Sequence, residues 1–383
     1  MSVAARRRPP LRIRVSSQVT RMDGPLLVAA AGLSAIGVLL VWSSTRLWNG
    51  AESSAFASRH LMNIAIGVLL LAAATLIDVR WLRTLTPVFY LVSMLGLVLV
   101  LTPLGGTANG SNSWIVVGGF QLQPSEFAKP ALVLMMAMLL SRTRENAGKP
   151  RIPDLLFALG AAVLPMGLVM MQPDLGTTLV LIATTAGLLV LAGIRKLWIF
   201  LLIAVSVSGA AAVWFLNLLE PYQVARFTAF LDPSTDPRGV GYNSTQSLIA
   251  VGSGELFGKG LFHGGQTTGR FVPEQHTDFV FTVAGEELGF IGAVTIVALL
   301  GVILLRGLKI ARESGDRFCA LVAGGVVCWF GFQTFINVGM TIGVMPITGL
   351  PLPFVSYGGT ATFANMIAIG LLQAMHIRDR TFT

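Results

Sequence analysis

Apolar stretches of about the length needed to cross a lipid bilayer recur from one end of this 383-residue sequence to the other. Hydrocarbon offers a backbone no hydrogen-bond partners, so each such stretch must satisfy its own N–H and C=O groups, as a helix does. Ten runs approach or exceed the roughly 17–25 residues a span requires. They are Gly24–Val41, Leu61–Ile77, Leu85–Leu104, Phe127–Leu140, Leu155–Met171, Thr177–Ala192, Leu197–Leu216, Phe279–Leu305, Phe318–Val344 and Thr360–Met375. The fourth is short, and the eighth and ninth are long enough to tilt or overrun the membrane. Only 12% of residues are charged, against about 25% in soluble domains. The expected architecture is an all-α polytopic membrane protein of ten transmembrane helices, with a long extracytoplasmic loop between spans 7 and 8. Residues 1–23 read as a basic cytoplasmic tail, 24–377 as one ten-span domain and 378–383 as a second cytoplasmic tail. The first apolar run is long and lacks a small-residue cleavage site, so it reads as a retained span rather than a signal peptide.

Lysine and arginine set the orientation. With the N-terminus inside, the inner face receives twenty of the 27 basic residues, including Arg80 with Arg83, Arg142 to Arg151, Arg195 with Lys196, and Arg306 to Arg317. The opposite orientation inverts this bias. The net charge of +9 is therefore mostly topological and gives no indication of nucleic acid. Cys319 and Cys328 lie about half a turn out of phase on one predicted helix and cannot pair with each other. The four histidines (His60, His263, His276, His376) show no metal-ligand spacing.

This orientation gathers the unusual residues on the outer face. The outer loop of residues 217–278 is about sixty residues long, and loops of that length are uncommon and usually functional. It holds Asp232-Pro233, Asp236-Pro237, an amphipathic stretch from Tyr242 to Val251 and a series of glycines, which together suggest short interfacial helices. Shorter outer loops carry Gln123-Pro124-Ser125-Glu126, Gln172-Pro173-Asp174-Leu175-Gly176, and Pro346 to Gly359. Proline followed by a small or acidic residue marks a helix start. Every even-numbered span begins at this face, so the positive ends of those helices have the means to converge on one anion-binding cavity. At the end of the long loop, Val272-Pro273-Glu274-Gln275-His276-Thr277-Asp278-Phe279 sets a carboxylate where water meets an apolar helix.

These segments resemble the SEDS family (shape, elongation, division, sporulation) of RodA and FtsW proteins. The matching pieces include Asp232-Pro233, Gly241-Tyr242, Gln246-Ser247, Ala250 to Gly254, Gly258-Lys259-Gly260, Pro273-Glu274-x-His276-Thr277-Asp278-Phe279 and Glu286-Glu287-Leu288-Gly289. Outside the loop, Gln123 to Lys129, Gln172 to Thr177 and Leu350 to Gly359 match as well, and the resemblance covers residues 24–377. Gly258-Lys259-Gly260-Leu261-x-His263-Gly264 is more similar to the elongation-type RodA branch. The resemblance implies a peptidoglycan glycosyltransferase of the bacterial inner membrane that polymerises lipid II. It also implies a class B penicillin-binding protein as partner. The proposed catalytic aspartate of the family maps onto Asp278. Where relatives often place a basic residue before the tryptophan that matches Trp114, this chain has Ser113.

A sugar hydroxyl attacking an anomeric carbon needs a base, and a departing pyrophosphate needs positive charge. Asp278 is the candidate base, the alternative being that Thr277 or Asp278 caps the eighth helix. Phosphate candidates are Lys129, Arg226, Arg238, Lys259 and Arg270, with Lys129 alternatively paired to Glu126 at i, i+3. Trp114 either stacks on a sugar or anchors its loop. Glu126, Glu274, His276 and Ser356 complete the candidate substrate contacts. Asp174 reads as a helix-start charge, and Gln333 and Asn337 as partners for neighbouring helices. Thr282, Gly285 and Gly289 share a face with Asp278 that serves either close packing or a lipid chain. No cofactor is assigned; Glu274 leaves a place for a divalent cation, Mg or Mn. A lipid II flippase or a transporter remains the competing reading.

Overall fold

The computed structural model describes residues 21–46, 52–103, 105–108, 111–117, 120–142, 150–216, 221–237 and 239–382. All ten apolar runs fall on helices: α1 (Gly24–Thr45), α2 (Glu52–Leu76), α3 (Val79–Val100), α4 (Pro124–Leu140), α5 (Ile152–Met170), α6 (Leu175–Leu191), α7 (Lys196–Phe215), α12 (Gly289–Glu313), α13 (Arg317–Thr341) and α14 (Gly359–Phe382), with the start of the eighth run forming a separate short helix, α11 (Val280–Glu287). Among the described residues, seven helices are long and apolar enough to cross a membrane. The long connection between α7 and α11 contributes short helices, as expected: α8 (Pro221–Leu231), α9 (Val240–Ser253) and α10 (Gly265–Thr268).

The fold is nearly, not wholly, helical. Three short antiparallel strands, β1 (Gly106–Ala108), β2 (Ser111–Val117) and β3 (Phe120–Leu122), lie between α3 and α4, with Gly106 opposite Trp114 and Ile115 opposite Leu122. The β-branched run Ile115-Val116-Val117 suits a pleated strand better than a helix turn.

Helices that are apolar on every side belong in the interior of a bundle. The apolar windows of α14 and α13 are 83% and 67% buried, against 28% for α5 and α12. Helix α4 is buried on almost every residue, Lys129 included. These three form the centre, and the outer helices turn side chains such as Val28, Leu69, Phe157 and Leu305 outward. At one end of the bundle Asp23 caps α1 by accepting from the Leu26 N–H at 3.0 Å and pairs with Arg306 of α12. The Gln373 side chain closes the same junction, accepting from Asp23 N–H at 2.8 Å and donating to its carbonyl at 3.0 Å.

The eighth apolar run, expected as one helix from Phe279, is broken at Leu288-Gly289. A break inside a bundle is tolerated only where the freed backbone groups find other partners. The loop after α9 supplies them. Lys259 and Gly260 N–H groups donate to the carbonyls of Glu286 and Glu287, each at 3.0 Å, while Phe290 and Ile291 N–H groups donate to Glu255 and Leu256 carbonyls. Gly289 has φ +68°, and a Cβ there would sit 2.2 Å from Gly258 N and 2.7 Å from Leu256 O. Both contacts are with backbone, so no rotamer change relieves them. Gly289→Ala is expected to lower stability by at least about 2 kcal/mol, since the left-handed conformation alone costs about 1–2 kcal/mol. Thermal unfolding of the purified variant measures this, and an unchanged midpoint would show that the break is not anchored as described.

Candidate active site

A cavity of about 600 Å³ opens beside four helix starts. Gln123 and Glu126 come from the start of α4, and Asp174, Leu175 and Thr177 from α6. Thr277 and Asp278 immediately precede α11, and Gly358, Thr360 and Ala361 flank the first residue of α14. The expected convergence of helix N-termini is therefore present for four of the five even-numbered spans. Each contributes roughly half a positive charge directed at the same volume. Ser113 and Trp114 of β2, Arg226 of α8, Glu274, Tyr357 and the loop Thr348–Pro351 complete the wall.

Asp278 is positioned through its backbone. Its N–H donates to the Glu274 carbonyl at 3.1 Å, and its carbonyl accepts from Asn337 Nδ2 at 2.8 Å. The same Asn337 nitrogen donates to the Leu350 carbonyl at 2.6 Å, so one buried side chain ties the aspartate to the opposite wall of the cavity. Gly349, at φ +75°, leaves room there: a Cβ would lie 3.3 Å from Asp278 Oδ2. The cap residue of α11 is Phe279, with no side-chain cap bond, and the Thr277 hydroxyl donates instead to the Glu274 carbonyl at 3.2 Å. Capping therefore does not hold the Asp278 carboxylate in its ionised form.

Protein surrounds that carboxyl on most sides and part of its surface opens to the cavity. Burial pushes its pKa up from 3.8 to about 7, helped by the charges of Glu274 and Asp174, while Arg226 and the Thr277 hydroxyl pull the other way. A carboxylate poised near neutrality suits a general base. Arg226 faces this cavity from α8 with Nη1 donating to the Thr348 carbonyl at 3.3 Å.

Trp114, Glu126, Arg226, Glu274 and Asp278 thus all line this cavity. Lys129 does not reach the cavity. It lies behind Glu126, 1% exposed, bound to Glu126 Oε1 at 2.7 Å and Gln333 Oε1 at 3.1 Å, with the Trp329 ring 5.3 Å from Nζ. Gln333 also donates to the Pro351 carbonyl at 2.7 Å, so it joins the neighbouring helix α4 to the cavity loop, while Asn337 braces that loop and the backbone of Asp278. Lys259 stands elsewhere, donating to Ser253 Oγ at 2.8 Å and to Glu286 Oε1 at 3.0 Å. Its charge partner is a carboxylate 27 residues downstream, and it is not part of the cavity lining. His276 and Ser356 are buried behind the wall: the imidazole packs against Phe56 and Tyr357, and burial lowers its pKa. Ser356 Oγ accepts from the Leu352 N–H at 2.7 Å. Arg270 is not part of the lining, and Arg238 lies outside the described residues.

Glu286 and Glu287 are structural. Glu286 accepts from the N–H groups of Gln266 and Thr267 at 2.9 and 2.8 Å, and Glu287 from the Ser43 hydroxyl at 2.6 Å. Gly285 packs directly on Val251 of α9, and a Cβ on Gly254 would strike the Gly285 carbonyl, so the small-residue face below Asp278 serves helix packing. Asp174 caps α6 by accepting from Thr177 N–H at 2.9 Å, yet it also lines the cavity. Tyr357 and Thr348–Pro351 were missed as lining residues, although the run Leu350 to Gly359 carried the signal. Among the described residues, no group of three or more His, Cys, Asp or Glu side chains is arranged to hold a metal ion.

A multi-pass helical bundle with a carboxylate-lined cavity at one face is the class these features define. Residues 25–381 match the model of the cell cycle protein family of FtsW, RodA and SpoVE, and the chain belongs to that family. It is 40% identical to a protein of Pseudoalteromonas translucida named probable peptidoglycan glycosyltransferase FtsW, covering 94% of this chain and 91% of that one. It is 34% identical to the peptidoglycan glycosyltransferase MrdB of Escherichia coli, covering 93% of each. A solved chain from a peptidoglycan synthase complex that coordinates polymerization and crosslinking superposes with a TM-score of 0.78 at 32% identity, covering 94% of this chain and 98% of that one.

Proposed function

We propose that this chain is a peptidoglycan glycosyltransferase of the bacterial cell membrane, with both termini in the cytoplasm, that polymerises lipid II using Asp278 as general base. One observation carries this reading: a carboxylate with a pKa near 7 on the wall of a cavity ringed by four helix N-termini. In the proposed step the Asp278 carboxylate takes the proton of the acceptor 4-hydroxyl. That oxygen forms a bond to the donor anomeric carbon, and the bond from that carbon to undecaprenyl pyrophosphate breaks, the electron pair leaving with the phosphate oxygen. Arg226 and the helix N-termini are the groups placed to offset the charge of the leaving group. Ser113 replaces any basic side chain beside Trp114, which puts more of that burden on Arg226. Trp114 offers its ring to a sugar face.

A class B penicillin-binding protein is the proposed partner, supported by the similarity to the chain of a synthase complex that joins polymerization with crosslinking. The elongation role rests on Gly258 to Gly264, whereas the 40% identity to an FtsW-named protein favours a division role. Depletion in rod-shaped cells separates them, since loss of elongation rounds cells and loss of division yields filaments. The activity itself is tested by supplying lipid II to the purified protein, alone and with its partner, and measuring glycan polymer. Transfer of lipid II across vesicles without polymer would replace the polymerase reading with the flippase one.

A further inference from the structure

A second cavity, of about 500 Å³, lies between the start of α5 and the turn that joins α6 to α7, lined by Pro150, Arg151, Ile152, Pro153, Leu155, Ile194, Arg195 and Trp198. It is at the opposite end of the bundle from Asp278. Helix α5 has 19 residues and so spans about 28 Å, and its far end leads directly to Pro173 and Asp174 on the wall of the first cavity. Sequence bias in lysine and arginine assigns this second face to the cytoplasm.

The walls are apolar and the rim is cationic. Arg151 and Arg195 are both exposed, and among the described residues neither guanidinium lies within 4.0 Å of a carboxylate. Arg151 is also the cap residue of α5; its side chain makes no cap bond, its carbonyl accepts from the Leu155 N–H at 3.0 Å, and the same first turn carries Asp154. The other side of the cavity is a fixed turn. Gly193 takes φ +72° to end α6, and Arg317 of α13 donates to the Ala192 carbonyl at 2.7 Å, pinning the turn to the bundle. The backbone N–H of Trp198 donates to the Arg195 carbonyl at 2.9 Å, and Trp198 lines the cavity beside it. Around the cavity, Ile152, Phe157, Leu197 and Phe200 are exposed apolar side chains on helices that read as membrane-spanning.

Two arginines with no carboxylate partner among the described residues, above an apolar recess lined by a tryptophan, match the chemistry of a lipid that carries a phosphate over acyl chains. A soluble anion would use the arginines and leave the apolar recess unfilled. We propose that this cavity binds the headgroup of an anionic phospholipid from the cytoplasmic leaflet, with Arg151 and Arg195 contacting its phosphate and the upper acyl chain lying along Ile152, Leu155 and Trp198. The site is separate from the catalytic cavity, so it stands whether or not the polymerase reading holds.

The full-length protein, purified in neutral detergent, is supplied with phosphatidylglycerol or phosphatidylcholine, and retained lipid is counted by native mass spectrometry. The Arg151→Gln/Arg195→Gln double variant is expected to bind one phosphatidylglycerol per chain about 30-fold more weakly than wild type. Two basic groups at about 1 kcal/mol each give that factor. Phosphatidylcholine binding should not change. A lipid-free melting midpoint equal to that of wild type shows that the variant is folded, and Arg151→Lys/Arg195→Lys, which keeps the charge, should regain most of the affinity even if the glutamine variant unfolds. Equal phosphatidylglycerol retention by wild type and both variants would overturn the site. Displacement of the lipid by millimolar inorganic phosphate would also overturn it, by showing that a soluble anion is the ligand.

Discussion

Asp278→Asn is expected to lower polymer formation from lipid II by about 10²–10⁴-fold, the usual worth of a general base, while leaving the protein folded. The wild-type rate should rise with pH through about 7 and level off above it, because the acting form is the carboxylate and its pKa is raised to about 7. The same shift fixes a sign for stability. With the folded value above the ordinary 3.8, the folded state holds a proton that the unfolded state has already released. The contribution of this group is therefore fully present below about 3.8 and lost as pH rises through about 7. Above that pH, wild type carries a desolvated charge beside Glu274 and Asp174, which asparagine removes. Asp278→Asn should consequently melt higher than wild type at pH 8, with the gap closing towards pH 4. A carboxylate that served to cap α11 would give the reverse, a variant that melts lower at pH 8. Unchanged polymerase activity in Asp278→Asn would end the general-base assignment.

The helices were legible because an apolar run in hydrocarbon has few ways to satisfy its backbone. Hydropathy hid the break at Gly289, since Phe279 to Leu305 reads as one apolar stretch. What splits it is backbone, four hydrogen bonds from residues 255–260 about thirty positions away, and the glycines that permit that approach. The signal lay in Gly258-Lys259-Gly260 and Glu286-Glu287-Leu288-Gly289, which the sequence displays as separate pieces. Asp278 was legible from its place between a polar loop and an apolar helix. Its neighbours were less so. Asp174 looked sufficient as a cap and is one, yet it also lines the cavity. Lys259 shows the converse: an exposed lysine in a functional loop whose charge is already held by buried Glu286. Pairing across tens of residues depends on which helices meet, and one sequence does not state that.

The buried pair Glu126–Lys129 gives the second large effect. Both side chains are almost completely enclosed, at 2% and 1% exposure, and among the described residues Glu126 Oε2 has no hydrogen-bond partner. Lys129→Met removes the only cation bound to that carboxylate among the described residues, together with a donor to Gln333 and a charge over the Trp329 ring. Breaking one side of a buried pair costs about 3–5 kcal/mol, because the remaining charge is left uncompensated. Glu126→Gln/Lys129→Met, which removes both charges, should recover most of that loss, a result thermal unfolding of the two variants can check. Activity supplies an independent reading. In Lys129→Met an uncompensated Glu126 faces the cavity that Asp278 also lines, and added negative charge raises the pKa of Asp278 further. The rising limb of the pH–rate profile should move above 7 in the single variant and return in the double variant. A limb that stays in place while stability falls would mean that Glu126 has taken up a proton in place of the lysine. The pair would then serve the fold of α4 against α13 and not the electrostatics of the base.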